Sequence, residues 1–195
     1  MLPRSLHWTG EHLELLDQRR LPREVVLLRL QTWEEVVEAI SSMAVRGAPA
    51  IGVAAAWGVV LAARAGADLS VAMAELRASR PTAVNLGWAL DRMKACTAAS
   101  SPIDVESLAV AAAELEEDDR QLTQRLVDHG LSVLPDAARV LHHCHTGAIA
   151  TAGVGTALGV IEAAYAQGLL KHAWLDETRP RLQGAALSAW ELGCL

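Results

Sequence analysis

Arg139-Val-Leu-His-His-Cys-His-Thr-Gly147 is the stretch that decides the fold. Its β-branched and apolar run ends in polar residues and a glycine, and an Ala/Gly-rich segment follows from Ala148. This order predicts a buried strand over 138–144 that leads into a helix over 148–166, the place where open α/β sheets bind ligands. Because the free N–H groups at a helix start attract negative charge, Cys144 at the strand tip is the candidate reactive residue.

A second strand–helix pair follows the first along the chain. The pattern predicts a strand over 172–176 and a helix over 182–192, which gives a parallel, Rossmann-like β-α-β-α unit with a right-handed crossover. Because adjacent parallel strands end at one edge of the sheet, the polar segment Asp176–Gly184 should lie beside Cys144. A polar loop at this edge indicates a binding site, and an ordinary salt-bridged loop is the alternative.

A parallel sheet of only two strands is too small to bury both of its faces. Parallel sheets are normally covered on both faces, so we expect the chain to be a C-terminally truncated part of a longer parent. The uncovered apolar surface favours association, here as a homodimer. Pro135-Asp136 is the expected boundary between an N-terminal strand-and-helix domain (1–134) and a partial Rossmann-like catalytic domain (135–195).

The N-terminal part predicts a small antiparallel sheet followed by helices. Short strands are expected over 5–8, 12–16 and 23–28. Thr32-Trp-Glu-Glu35 is a capping box, and the apolar period after it predicts a helix that ends near Val45. The fold class is therefore α/β, with an antiparallel sheet and a helical domain before the incomplete parallel domain.

Several more helices are expected before the boundary. Residues 48–63 are almost entirely apolar but fall short of the roughly 18–20 residues of a membrane span, so we predict a helix buried on all sides and no membrane partner. The remaining predicted helices span 69–78 after the cap Asp68, about 81–99 after Arg80, and 103–129, with Gly130 as the terminator.

Two arginines stand next to prolines that suit the start of a helix. Arg46 precedes Gly47 and Pro49, and Arg80 precedes Pro81. A guanidinium beside free helical N–H groups can bind a phosphate. The alternative is a pair of ordinary loops with solvated arginines, and the sequence leaves open whether the two arginines converge.

Composition excludes several classes of partner. The 195 residues carry a formal net charge of −6 and no Lys/Arg run, so no nucleic-acid partner is expected. The three cysteines form no CxxC, and the N-terminus lacks the apolar core of a secretion signal. We therefore expect the cysteines to be reduced thiols in a cytoplasmic protein.

The run His142-His143-Cys144-His145 resembles a zinc-binding sequence at first sight. Strand alternation would send His142 and Cys144 to one face and His143 and His145 to the other, whereas zinc requires three or four ligands together. We therefore expect no metal site in this run. The alternative for Cys144 is a buried small hydrophobic residue.

Four motifs resemble the methylthioribose-1-phosphate isomerases. They are RGAPAIG (46–52), RPTAVNLGWALDRM (80–93), HCHTGAIATAGVGTALGVI (143–161) and DETRPRLQGAALSAWEL (176–192). The resemblance implies an aldose–ketose isomerase of methionine salvage. Its small-molecule substrate, 5-methylthioribose 1-phosphate, becomes 5-methylthioribulose 1-phosphate without a metal or redox cofactor.

The resemblance also implies roles for individual residues. Cys144 matches the catalytic cysteine, which stabilises the transition state or handles a proton. The positions that match substrate contacts are Arg46, Gly47, Ala48, Arg80 and Gln183.

Departures from the family pattern occur at several positions. His145 stands where the family has Asn, Trp57 where it has Tyr, and Ala186 where it has Arg. The resemblance places the catalytic aspartate and an Asn-Lys contact on later strands without counterpart in these 195 residues. Because general acid–base catalysis needs such a partner, we expect this chain alone to turn over slowly or not at all.

Other readings of the same fold stay open. The fold is shared with the regulatory subunits of a eukaryotic translation-initiation exchange factor, so a non-catalytic or ligand-binding member is one alternative. A ribose-1,5-bisphosphate-type isomerase is another. The apolar, tryptophan-containing surroundings of Trp57 and Trp88 favour a methylthio tail over a second phosphate.

Overall fold

A three-stranded antiparallel sheet begins the fold. The computed structural model describes residues 3–98 and 104–194. Strands β1 (Leu6–Trp8), β2 (Leu13–Leu16) and β3 (Leu27–Leu30) pair in the order β1-β2-β3. The first two strands lie where the sequence predicted them, and β2 is buried in the centre of the sheet.

The third strand is a correction to the sequence prediction, which placed it over 23–28. The N–H groups of Arg23 and Glu24 both donate to the carbonyl of Arg20, which closes a turn in that segment. A turn of this kind uses the backbone groups that sheet pairing needs. Pairing therefore starts only at Leu27, opposite Leu16.

Five α-helices follow and enclose the main hydrophobic core. They are α1 (Trp33–Ser41), α2 (Ala48–Arg64), α3 (Leu69–Ser79), α4 (Val84–Ala98) and α5 (Val105–Val133). Every residue of α2 from Ala50 to Ala62 is buried, and α2 contacts each of the other four helices. Helix α2 is thus the all-round buried helix that its composition predicted. No helix in the described part of the chain is both long and apolar enough to span a membrane.

The predicted N-caps are present. Thr32 and Glu35 form the full capping box of α1, and the carboxylate of Asp68 accepts the N–H groups of Ser70 and Val71 at the start of α3. These side chains satisfy backbone donors that a helix start leaves free.

Some helix boundaries differ from the predictions. Helix α1 ends at Ser41 rather than near Val45. Helix α4 starts at Val84 rather than after Arg80, because the N–H of Ala83 donates to the carbonyl of Arg80 and closes a separate turn. The predicted end of α4 near residue 99 and the predicted start of α5 at residue 103 lie outside the described residues.

Gly130 does not end α5, which continues to Val133. A Cβ added at Gly130 would overlap the side chain of Val160 on the helix α6 (Ala157–Ala166). The glycine therefore allows two helices to pack closely, which explains it better than a capping role.

The last part of the chain contains the predicted parallel strand pair. Strands β4 (Ala138–His142) and β5 (Leu170–Leu175) pair in parallel, with α6 between them in sequence. The mixed α/β class is thus confirmed, while the division at residue 134 stays a prediction.

The expected continuous helix over 148–166 was wrong. A single 3₁₀ turn covers Ala148–Ala150, and α6 begins only at Ala157. Gly155 has a φ of +85°, which a helix cannot contain. The hydroxyl of Thr146 instead accepts the N–H of Leu158 at 2.9 Å and caps α6 from a distance in sequence. The final helix is also divided, into a π-helical turn (Gly184–Ser188) and α7 (Ala189–Gly193).

Candidate active site

Cys144 lies two residues beyond the end of β4, at the edge expected for a site. Its thiol is half-buried, and Nε2 of Gln183 lies 3.6 Å from Sγ. Its φ is +66°, a conformation that costs a non-glycine residue roughly 1–3 kcal/mol. The hydroxyl of Ser188 donates to the Cys144 carbonyl at 3.0 Å and helps to hold this strained backbone.

The tips of the two parallel strands lie side by side, as predicted. The N–H of Asp176 donates to the carbonyl of His142 at 3.1 Å and extends the ladder by one bond. The segment that carries Gln183 is therefore directly adjacent to Cys144. A carboxylate oxygen of Asp176 and Nδ1 of His143 lie 2.7 Å apart at the exposed edge.

The predicted alternation of the histidines applies only in part. His142 is buried and its Nε2 lies 2.8 Å from the hydroxyl of Thr146, while His143 is exposed. The strand ends at His142, and the left-handed Cys144 then turns the chain, so His145 points to Ser188 rather than following the alternation. In the described ranges, no three His, Cys, Asp or Glu side chains group as metal ligands.

Glu177 organises the turn that carries Gln183. Its two carboxylate oxygens accept the N–H of Gly184 at 2.8 Å and that of Ala185 at 3.1 Å. Backbone hydrogen bonds, first from Thr178, hold the pKa of Glu177 below its ordinary value. This carboxylate thus stays ionised and fixes the backbone from which Gln183 reaches the thiol.

Arg46 lies in the same neighbourhood as Cys144. Burial of the guanidinium is the main cause that lowers the pKa of Arg46, and the positive charge of Arg181 is the next. The thiolate form of Cys144 acts in the opposite direction, and Arg80 adds a smaller downward effect. Arg46 is therefore the group on which the charges of Arg181, Cys144 and Arg80 act together.

The Arg46 loop is tied to the turn after Cys144 through Gln18. Nε2 of Gln18 donates to the carbonyl of Ile149 at 2.7 Å and to that of Arg46 at 3.4 Å. The backbone of Gly47, at φ +97°, packs directly against the carbonyl of Ala150. The N-terminal part of the chain and the parallel strand pair therefore build this site together.

The other residues singled out from sequence occupy varied positions. Ala48 is the exposed first residue of α2, and Arg80 is half-buried at the end of α3. Trp57 is a core residue whose Nε1 donates to Glu116 at 2.9 Å. Ala186 packs on a small apolar cluster that includes Ile149.

Sequence reasoning missed a group of polar residues behind the thiol. Ser188 and Glu191 lie one helical turn apart, and both contact His145, while Glu162 projects from α6 toward Glu191. The sequence did contain one indication of this group, because Glu191 lies in the apolar run Ala189-Trp-Glu-Leu192. A carboxylate buried among apolar residues is rarely without a partner.

Two clefts of the described surface lie near Cys144 without reaching it. One cleft of about 350 Å³ runs between α2, α4 and α5 and is lined by Pro49, Asn85 and Trp88. A more open one of about 700 Å³ includes Arg80. Neither includes Cys144, so the convergence of charged groups identifies the site better than cavity size does.

Comparison with known proteins places the chain in a family. The model of the Initiation factor 2 subunit family matches residues 44–193, which include the whole cluster around Cys144. The chain therefore belongs to the Initiation factor 2 subunit family.

Its curated relatives include enzymes. The chain is 72% identical over 194 residues to the methylthioribose-1-phosphate isomerase of Parasynechococcus marenigrum, and 51% identical over 198 residues to that of Alkalilimnicola ehrlichii. The match covers 100% and 97% of this chain but only 58% and 57% of those relatives. The chain thus spans less than two thirds of their length.

Solved structures show the same fold. The 5-methylthioribose 1-phosphate isomerase of Pyrococcus horikoshii superposes with a TM-score of 0.91 at 38% identity, over 98% of this chain and 57% of that one. The delta subunit of translation initiation factor eIF-2B from A. fulgidus superposes with a TM-score of 0.81 at 35% identity, over 98% and 59%. The architecture and the family resemblance drawn from the four motifs are thereby confirmed.

Proposed function

We propose that this protein acts in the interconversion of 5-methylthioribose 1-phosphate and 5-methylthioribulose 1-phosphate, an aldose–ketose isomerisation. The observation that supports this most is the half-buried guanidinium of Arg46, on which the charges of Arg181, Cys144 and Arg80 all act. The names of the enzyme relatives support the same substrate.

The arginines suit an anionic group of the substrate. Within the described ranges, none of Arg46, Arg80 and Arg181 forms an ion pair with a carboxylate, so no carboxylate offsets their mutual repulsion. A phosphate would relieve it through short, charge-assisted hydrogen bonds. Binding energy at this group can then hold the sugar in position for reaction.

The thiol and the amide suit the sugar end of the substrate. Phosphorylation of C1 prevents spontaneous ring opening, so the protein has to assist the opening and the transfer of hydrogen from C2 to C1. Cys144 is proposed to stabilise the transition state or to handle the proton. Gln183, 3.6 Å from the sulfur, is proposed to contact the substrate. A fixed amide N–H donor of this kind can stabilise negative charge that develops in the transition state.

A non-catalytic role is the second candidate, favoured by the TM-score of 0.81 with an initiation-factor subunit. A regulatory subunit has no need of a thiol held in a left-handed conformation beside three arginines. Strain of this kind persists where the surrounding structure enforces it, and it is concentrated at functional sites. The enzyme is therefore the better supported of the two.

Titration calorimetry with two sugar phosphates separates these functions. We expect 5-methylthioribose 1-phosphate to bind with a Kd at least tenfold lower than that of ribose 1,5-bisphosphate. The reverse order would favour the bisphosphate isomerase, and no binding of either would favour the non-catalytic role. Ketose formation by the same preparation measures turnover.

Cys144→Ser is expected to leave binding of 5-methylthioribose 1-phosphate within about threefold of the wild-type value, because the arginines supply most of the affinity. The hydroxyl is less acidic than a thiol, so turnover should fall wherever it is measurable. Calorimetry on both proteins tests the binding arm. A loss of affinity beyond tenfold would mean that Cys144 holds the substrate rather than acting on it.

We further propose a cytoplasmic homodimer without a nucleic-acid partner. All three cysteines are free, in keeping with a reducing compartment. Leu141 and Trp174 are cross-strand neighbours on the parallel pair and are 75% and 46% exposed, which supports association through this face. Light scattering after gel filtration tests the dimer.

A further inference from the structure

A fully buried carboxylate lies behind the Cys144 loop. Glu191 on α7 has no exposed side-chain surface, and its two oxygens accept the N–H groups of Ala148 and Ile149. A Cβ added at Gly147 would overlap this carboxylate, so the loop packs directly on it. Glu191 therefore serves as the acceptor that fixes the 3₁₀ turn after Cys144.

A second carboxyl group shares this buried space. Glu162 on α6 faces Glu191, and its Oε1 is buried without a hydrogen-bond partner if both groups are ionised. One proton between them would supply the missing donor and remove the repulsion. Burial, followed by the charge of Glu191 and a hydrogen bond to it, raises the pKa of Glu162 to about 8.

His145 and Ser188 continue the connection to Cys144. The hydroxyl of Ser188 donates its one hydrogen to the Cys144 carbonyl, so its oxygen must accept from Nδ1 of His145 at 3.1 Å. Nε2 of the same ring lies 3.4 Å from Glu191 without a hydrogen bond to it, and the His145 side chain is only 5% exposed. A continuous series of polar groups thus runs from Glu162 to the backbone of Cys144.

We propose that Glu162 holds a buried proton against Glu191, and that these two carboxyl groups, with His145, position Cys144 through Ser188. The three are positioning residues, because none of them touches the sulfur. With the proton present, Glu191 keeps the turn after Cys144 closed, and His145 keeps Ser188 directed at the Cys144 carbonyl. Loss of the proton leaves two buried negative charges side by side and weakens both contacts.

Other titratable groups lie on the elements that surround the cluster. His142 lies on β4, His143 precedes Cys144 in the loop, and Asp176 follows β5. Helix α5 presents apolar Val127 and Gly130 to α6. Glu191 is the charged group among them that raises the pKa of Glu162.

The pH dependence follows from the direction of the shift. In the unfolded chain Glu162 loses its proton near its ordinary pKa of 4.5, whereas in the folded chain it keeps the proton up to about pH 8. Between these values the folded state binds more protons, so stability falls as pH rises and levels off above pH 8. Glu162→Gln keeps an N–H donor toward Glu191 at every pH and should remove this fall.

Carbon-13 NMR on the wild-type chain tests the proposal without any substrate. The side-chain carboxyl signal of Glu162 is expected to titrate with a midpoint near pH 8, and the backbone carbonyl signal of Cys144 is expected to move with the same midpoint. The Cys144 step should vanish in Glu162→Gln. A Glu162 midpoint below pH 6, or a Cys144 carbonyl that does not follow it, would overturn the proposal.

Thermal unfolding gives a second readout. Between pH 6 and pH 9 the Tm of the wild-type chain should fall by roughly 3–6 °C more than that of Glu162→Gln. Glu114→Gln, which removes a charge from the exposed face of α5, is the matched control and should follow the wild-type curve. Parallel Tm curves for wild type and Glu162→Gln would contradict the cluster. Neither test measures isomerase activity, so a negative result would reject the carboxyl pair and leave the proposed function untouched.

Discussion

Arg46→Ala is expected to weaken binding of 5-methylthioribose 1-phosphate by about 30- to 1,000-fold. Removing one partner of a buried, hydrogen-bonded charge pair typically costs about 2–4 kcal/mol, and each 1.4 kcal/mol is a factor of ten. Arg46 is a half-buried guanidinium whose pKa responds to Arg181, Cys144 and Arg80 together, so its loss should remove the most binding energy. Titration calorimetry at fixed salt measures the change.

Two further variants make this result specific. Arg139→Ala removes the same charge from an exposed position on β4 and should change the affinity by less than about twofold. Arg46→Lys keeps the charge without the planar fork and should recover only part of the loss. Equal losses in Arg46→Ala and Arg139→Ala would show that net charge, and not this site, sets the affinity.

Gly47→Ala is expected to destabilise the fold by about 3–5 kcal/mol and to reduce binding of 5-methylthioribose 1-phosphate more than tenfold. Two costs combine at this position: a φ of +97°, which an L-residue rarely adopts, and overlap of the new Cβ with the carbonyl of Ala150. That carbonyl belongs to the turn after Cys144, so relief of the overlap would separate Arg46 from the thiol. Denaturant unfolding and calorimetry measure the two effects.

Gly10→Ala separates the two costs. Gly10 has almost the same φ, +96°, but a Cβ there would meet no atom within 4 Å. This variant should lose only about 1–2 kcal/mol, the conformational part, and bind normally. A Gly47→Ala protein as stable as Gly10→Ala would show that the loop can move away from Ala150 without cost.

Much of the fold could be predicted from local patterns. The capping box at Thr32, the Asp68 cap and the apolar composition of α2 each carry their own physical cause, and the structure contains all three. The errors fell where a tertiary contact overrides a local signal. Gly130 resembles a helix terminator, but it serves the close packing of α5 on α6. The segment after Ala150 has helical composition, but Thr146 and Gly155 interrupt the helix.

The candidate site was predictable in outline only. Parallel strands end at a common edge, so the sequence places Asp176–Gly184 beside Cys144, and the structure does the same. Convergence of Arg46 and Arg80 depends on how two distant loops pack, which no local spacing encodes. The Glu162–Glu191 pair could not be predicted from the sequence either, because these residues are far apart in the chain and meet only through the packing of α6 and α7.

The Glu162–Glu191 pair helps to explain why His145 differs from the family pattern. The resembling family has Asn at this position, whose side chain is too short to contact both Ser188 and Glu191. Here the imidazole reaches both, at 3.1 Å and 3.4 Å. The histidine thus belongs with the buried carboxylates rather than with a metal.

Protection of the Cys144 thiol by substrate tests most directly whether the sulfur and the arginines form one sugar-phosphate site. Iodoacetamide labelling is followed by mass spectrometry peptide by peptide, with the exposed Cys194 as internal control. Saturating 5-methylthioribose 1-phosphate should slow labelling of Cys144 at least tenfold, leave Cys194 unchanged, and lose this effect in Arg46→Ala. Labelling of Cys144 at an unchanged rate in the fully liganded protein would place the substrate elsewhere.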